Sequence, residues 1–236
     1  MSYSTFVCKE FSIIQNSEVL KLGTDAIILG CLSDFHTPTN ILDIGTGTGI
    51  LTLMMAQKYR AQFTAIDILH ESFICASHNF TQSKWSDFIR CKHISLQDFC
   101  LSTQETFDGI ICNPPFFSHS LHNKNTFQTI ARHTVALSPI DLFACSQILL
   151  SPKGIISIII PYSEKQTFCE QALYYNLYTI KETLISPFSE SNPNRIVLHF
   201  SMTWTPLESS HIYIRNKDKS YSEEYKELTK KYISIT

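Results

Sequence analysis

The sequence predicts a doubly wound α/β sheet with helices on both faces, and three observations predict it. From Ile41 onward, short apolar runs alternate with stretches of helical spacing. The first apolar run empties into a glycine-rich turn, DIGTGTG, at 43–49. The second and fourth runs end on polar residues, Asp67 and Asn113. Strands that alternate with helices pair in parallel and are covered on both sides, and such sheets bind ligands beyond the carboxyl ends of their strands. The glycine turn, Asp67 and Asn113 are therefore expected on one edge.

Taken in order, the run from Ile41 to Ile44 is the first strand, and ILTLMMAQKY after the glycines has helical spacing. FTAID is the second strand, and HESFICASHNFTQ the second helix, with Ser72, Asn79 and Gln82 on its wetter side. FIRCKHI and FDGIICN are the third and fourth strands. The stretch from Phe117 to Thr134 is polar and reads as a substrate loop. Ser138 caps the next helix, with Pro139 at its first position, where the missing N–H costs nothing. GIISIIIP is the fifth strand, and Ser163 is expected to cap the helix that follows it. YTIKETLIS and RIVLHFSMTW are expected to form a terminal antiparallel pair across the turn-rich PFSESNPN. This makes a mostly parallel seven-stranded sheet with an antiparallel C-terminal strand. Residues 1–36 form an N-terminal extension and 220–236 a charged amphipathic helix, all within one domain spanning 1–236.

The chain has 236 residues, 44% of them hydrophobic and 17% charged, with a formal net charge of −2. That balance suits a packed globular core and lacks the overall basic field of a general nucleic-acid binder. A nucleic-acid partner would have to be held locally, with Lys124, Arg132, Lys153, Lys165 and Arg195 near the active edge and Lys226, Lys230 and Lys231 on the tail as candidates. None of the eight cysteines stands in a C-x-x-C pair, so neither a zinc knuckle nor a redox pair is expected, and no metal is expected. The N-terminal residues lack the pattern of a signal peptide, and the longest apolar run, 154–161, is too short to span a bilayer. The expectation is a cytoplasmic protein with no membrane partner, with a monomer as the favoured state.

The glycine turn departs from the nicotinamide fingerprint, because its third glycine arrives one residue early. Gly45, Gly47 and Gly49 let the backbone approach a ligand closely. Asp43, just ahead of them, would face a pyrophosphate badly but suits the ammonium of an amino-acid tail. Asp67, at a strand end, can accept from both hydroxyls of a ribose. Asp98 can accept from an adenine amine, with Phe99 against the ring. An adenosine with a cationic amino-acid tail is S-adenosyl-L-methionine.

The stretch CNPPFF, 112–117, leaves the fourth strand through an Asn and two residues without backbone donors. An amine on an aromatic ring is a weak nucleophile, because its lone pair is delocalised into the ring. Two acceptors aimed at its N–H bonds favour the tetrahedral shape that attacks a methyl group. Asn113, which is expected to touch the cofactor as well, supplies a side-chain oxygen and Pro114 a carbonyl, and Pro115 holds that corner rigid. Phe116 offers a stacking platform for a planar base, which Phe117 widens.

These motifs resemble the class I, Rossmann-like methyltransferases that carry NPP(F/Y). Within them the chain is similar to the bacterial tRNA adenine-N6 methyltransferases that modify the adenosine 3′ of the valine tRNA anticodon. The resemblance covers nearly the whole chain. It rests on KLGTDAIILG (21–30), ILDIGTGTGILTLMMAQ, FDGIICNPPFF, ARHT (131–134) and the tail YSEEYKELTKKY. It implies that Lys21, Thr24 and Asp25 close the cofactor pocket and that Arg132 and His133 border the target base. Phe116 stands where some relatives have Tyr, which keeps stacking and removes a hydroxyl. Other planar amines stay open as substrates on the residues alone: guanine N2 of ribosomal RNA, a release-factor glutamine amide, or a DNA adenine. So does a non-catalytic RNA-binding module.

Overall fold

The computed structural model describes residues 3–16, 19, 22–114 and 137–234. The chain begins with an antiparallel hairpin, β1 (Tyr3–Val7) and β2 (Ser12–Asn16), and a helix, α1 (Thr24–Leu32). Strands and helices then alternate: β3 (Asn40–Ile44), α2 (Ile50–Lys58), β4 (Gln62–Asp67), α3 (His70–Thr81), β5 (Ile89–His93), α4 (Leu96–Ser102) and β6 (Phe107–Cys112). After 115–136 come α5 (Pro139–Leu149), β7 (Leu150–Pro161), α6 (Lys165–Tyr174), β8 (Tyr178–Phe188), β9 (Arg195–Ser201), β10 (Glu208–Arg215) and α7 (Glu223–Thr229).

The large sheet has the order β10-β8-β9-β7-β6-β3-β4-β5. β9 runs antiparallel to both of its neighbours, and every other pairing is parallel. The strands of the parallel half are apolar on both faces because both faces are covered. Ile41, Phe63, Ala65, Ile111, Ile155 and Ile159 face α1, α2, α3 and α7. Leu42, Ile44, Ile66, Ile110, Ile156 and Ile158 face α4, α5 and α6. Ser138 caps α5 by accepting from the Asp141 N–H at 3.1 Å, with Pro139 at the start, as the sequence implies.

The sheet has eight strands where the sequence predicts seven. β10, ESSHIYIR, escapes sequence reading because only Ile212 is buried and the rest is polar or half-exposed. The antiparallel strand is the seventh of these eight in chain order, inserted between β7 and β8. The N-terminal extension holds a hairpin that the sequence reading lacks. Ser163 caps no helix: it lies in a 3-10 turn, Tyr162–Glu164, and α6 starts without a side-chain cap.

Ser72 and Asn79 are buried rather than on a wet face. Asn79 is a cross-link. Its Oδ1 accepts from the Ile14 N–H at 3.0 Å, and its Nδ2 donates to the carbonyls of Ile14 (2.9 Å) and Thr48 (2.8 Å). One side chain thus ties the hairpin to the glycine turn. At the other end of the hairpin, the Lys9 N–H donates to the Tyr232 carbonyl at 2.8 Å. Among the described residues no helix is long and apolar enough to cross a membrane.

Candidate active site

The parallel pairings put the carboxyl ends of β3, β4, β5, β6 and β7 on one edge. Cys112 pairs with Ile44, and Ile44 with Ile66, so Asn113, Gly45 and Asp67 leave adjacent strands at one level. The first two N–H groups of the glycine turn, Gly45 and Thr46, both donate to the Ile66 carbonyl.

Gly45, Gly47 and Gly49 all have positive φ (70°, 58° and 83°), a region that L side chains rarely adopt. Their surroundings differ. A Cβ on Gly45 would meet nothing within 4 Å, and one on Gly47 would meet only the Gly45 carbonyl, at 4.0 Å. These two line open space that a ligand can enter. A Cβ on Gly49 would lie 2.5 Å from the Phe80 ring. Gly49 therefore serves the packing of α2 against α3, a correction to its expected ligand contact.

Asp43 is buried below the turn. One carboxylate oxygen, Oδ2, accepts from the hydroxyls of Thr46 (2.7 Å) and Thr52 (2.6 Å), while Oδ1 has no partner. Burial raises its pKa to about 6, against the pull of the two hydroxyls. An orphaned, buried carboxylate oxygen is costly unless a donor reaches it. Asp67 is clamped at the end of β4: Oδ2 accepts from the Gly47 N–H at 2.8 Å and Oδ1 from the Leu69 N–H at 2.9 Å. Burial raises its pKa as well, and the two N–H donors oppose that rise. Each oxygen keeps a second lone pair.

Asp98 lies after β5 on the same edge, exposed, in the first turn of α4. Its N–H donates to Ser95 Oγ, and Ser95 Oγ donates to its Oδ2 at 2.7 Å. The Phe99 ring faces the core and not the open edge. It is buried in the core, 6.1 Å from Phe107 between ring centroids and beneath Lys92, because its position in α4 faces the sheet. The apolar surface beside Asp67 comes instead from Ile68 and Leu69, both exposed. Sequence reading passed over them. Their signal was two apolar residues at a strand–helix junction, where burial would normally end.

Asn113 is half-buried and Pro114 buried at the end of β6. Thr24 and Asp25 open α1 on the same edge. Asp25 accepts from Arg195 Nε at 2.8 Å, and Arg195 faces Pro161 at the end of β7. Lys21, Lys124, Pro115, Phe116, Phe117, Arg132, His133 and the loop 117–134 lie outside the described residues.

Of the basic residues expected near the active edge, Arg195 lies there, facing the end of β7, and Lys153 does not. Arg195 pairs with Asp25, and Lys165 with Glu182 at 2.6 Å. Lys153 lies in the first part of β7, towards the opposite end of the sheet. In the tail, Lys226 pairs with Glu223 and Lys230 with Glu227. The Lys231 carbonyl accepts from Gln57, at the far end of α2 from the glycine turn. The end of the tail at Lys231 therefore lies by the far end of α2, while Ser222 at the start of α7 donates to the Tyr213 carbonyl near the end of β10. Among the described residues no group of three His, Cys, Asp or Glu could hold a metal ion.

A glycine turn, a clamped strand-end carboxylate and an Asn-Pro exit on the parallel edge of such a sheet define a class I, Rossmann-like methyltransferase. Solved structures agree on the fold. A predicted O-methyltransferase of Agrobacterium tumefaciens superposes with a TM-score of 0.66 at 15% identity, over 88% of this chain and 96% of its own. A methyltransferase of Pyrococcus furiosus gives 0.58 at 18%, over 82% and 90%. The family model for the methyltransferase small domain matches residues 17–139. The tRNA1(Val) (adenine(37)-N6)-methyltransferase of Flavobacterium psychrophilum is 37% identical over 227 residues, 95% of this chain and 97% of that protein. The enzyme of the same name from Phocaeicola vulgatus is 38% identical over 228 residues, 96% of each. The chain belongs to this family of tRNA adenine-N6 methyltransferases.

Proposed function

We propose that the protein transfers the methyl group of S-adenosyl-L-methionine to the exocyclic N6 amine of an adenosine in tRNA, the one 3′ of the valine anticodon. The observation that carries this reading is the placement of Asn113 and Pro114 beside the glycine turn, in a chain that matches enzymes of that name along nearly its whole length.

The residues present fit the methyl donor. Asp43 Oδ1 lacks a partner that an ammonium would provide, directly or through water. Gly45 and Gly47 leave room for a ligand against the backbone. Asp67 keeps lone pairs for two ribose hydroxyls, and Ile68 and Leu69 offer an apolar wall for adenine. Asp98 keeps Oδ1 for the adenine amine. Thr24 and Asp25 open α1 on this edge, and the resemblance assigns them, with Lys21, to closing the cofactor pocket.

When bound, the donor supplies an electrophilic methyl on a sulfonium. The Asn113 side-chain oxygen and the Pro114 carbonyl each accept one N–H bond of the target amine, which turns its lone pair towards that methyl. Pro115 limits the motion of this corner, so the acceptors are set before the base arrives. Phe116 and Phe117 stack on the extruded base, and Arg132 and His133 border it. The amine becomes acidic once methylated, so its proton leaves to water and no strong base is required.

The test is incubation with labelled S-adenosyl-L-methionine and, separately, total tRNA, valine tRNA, ribosomal RNA, DNA and release factor, followed by digestion. Label in N6-methyladenosine from valine tRNA is the expected product. Label in guanine or protein refutes the substrate. The compartment consistent with this substrate is the cytoplasm.

A further inference from the structure

Asp67 is the last residue of β4, and the turn that follows it carries the clamped carboxylate and the exposed Ile68 and Leu69. β4 and β5 remain paired to this point: Asp67 lies opposite His93, and the Ile94 N–H donates to the Asp67 carbonyl at 3.0 Å. Beyond it the two chains diverge, Leu69 into α3 and Ile94 towards α4. The contact that bridges the divergence is made by a side chain. His93 Nε2 lies 3.0 Å from the Ile68 carbonyl. A carbonyl only accepts, so Nε2 carries the proton. The His93 ring is itself buttressed from the first turn of α3. Phe73 stacks on it (5.8 Å, 25°), and His70 meets it edge-on at 5.2 Å.

We propose that His93 is a positioning residue for methyl-donor binding. By holding the Ile68 carbonyl it sets the Asp67–Leu69 turn that receives the ribose and adenine, a role that rests on the methyl-donor reading above. The ring is exposed, so replacing it leaves the core intact. A turn that is preset costs less ordering when the ligand arrives, so the effect falls on affinity and not on the chemical step.

Two variants separate the donated hydrogen bond from the ring. His93→Phe keeps an aromatic ring for Phe73 and His70 and removes the donor. His93→Gln keeps an N–H donor and removes the ring. Calorimetry with S-adenosyl-L-methionine and S-adenosylhomocysteine needs no RNA. His93→Phe is expected to bind each about fivefold more weakly, the scale of one lost hydrogen bond, with kcat at saturating donor within about twofold of the parent. His93→Gln is expected to recover most of the affinity. In the cofactor-free protein, the Leu69 amide, which donates to Asp67, is expected to exchange its hydrogen faster in His93→Phe and at the parent rate in His93→Gln. Parental affinity in His93→Phe, equal losses in both variants, a fall in kcat at unchanged affinity, or unchanged Leu69 exchange would each overturn the proposal. A parent protein that binds neither ligand would instead sink the methyl-donor reading, and the exchange comparison would still decide whether His93 holds the turn.

Discussion

The proposed mechanism gives Asn113 and Asp43 separate tasks, and they should fail separately. Asn113→Ala removes one of two acceptors for the target amine and leaves the glycine turn untouched. The expected result is a fall in kcat of about a hundredfold or more, the scale of losing one preorganised hydrogen-bonding group, with the dissociation constant for S-adenosyl-L-methionine unchanged by calorimetry. Asp43 couples the site to pH. Its folded pKa of about 6 stands above the ordinary 3.8. The stability it contributes is therefore complete below 3.8 and is lost as pH rises through 6. At about 1.4 kcal/mol per pH unit, the neutral-pH cost to the cofactor-free fold is on the order of 3 kcal/mol. Denaturant titrations of the cofactor-free protein should show Asp43→Asn more stable than the parent at pH 7, with the gap closing by pH 4. The same substitution should weaken donor binding, since the neutral amide offers no charge to an ammonium. The placement of both residues was legible in the sequence because each sits at one strand end beside the glycine turn. The role of Asn79 was not. Its amide reads as a wet-face residue on α3, and only the fold brings Ile14 and Thr48 within its reach.

Elements with strong apolar runs were legible, and those held by context were not. β3, β4, β6 and β7 announce themselves as short runs bounded by polar residues or glycine. β10 is mostly polar and exists because β8 offers it a ladder from Lys181 to Phe188. Phe99 shows the same limit at a helix. Its neighbour Asp98 suggested a ligand, but the turn of α4 directs the ring into the sheet. Gly49 joins elements, since α2 can approach α3 only without a Cβ at that position. Gly49→Ala should cost about 1–3 kcal/mol from the left-handed backbone alone, and more from contact with Phe80. Thermal unfolding checks this, and an unchanged melting temperature would contradict the packing.

At the scale of the whole molecule, the glycine turn and the end of the tail at Lys231 lie at opposite ends of α2. Lys226→Ala, Lys230→Ala and Lys231→Ala combined should leave the KM for an anticodon stem-loop and the affinity for methyl donor unchanged. A rise in KM for that short substrate, measured in low salt where phosphate contacts are strongest, would bring the tail back to the site. The Lys9–Tyr232 hydrogen bond has a consequence in time. A ribosome makes residue 9 long before residue 232, so the first hairpin cannot close on its partner until the chain has emerged through Tyr232. Nascent chains halted short of Tyr232 would lack that clasp.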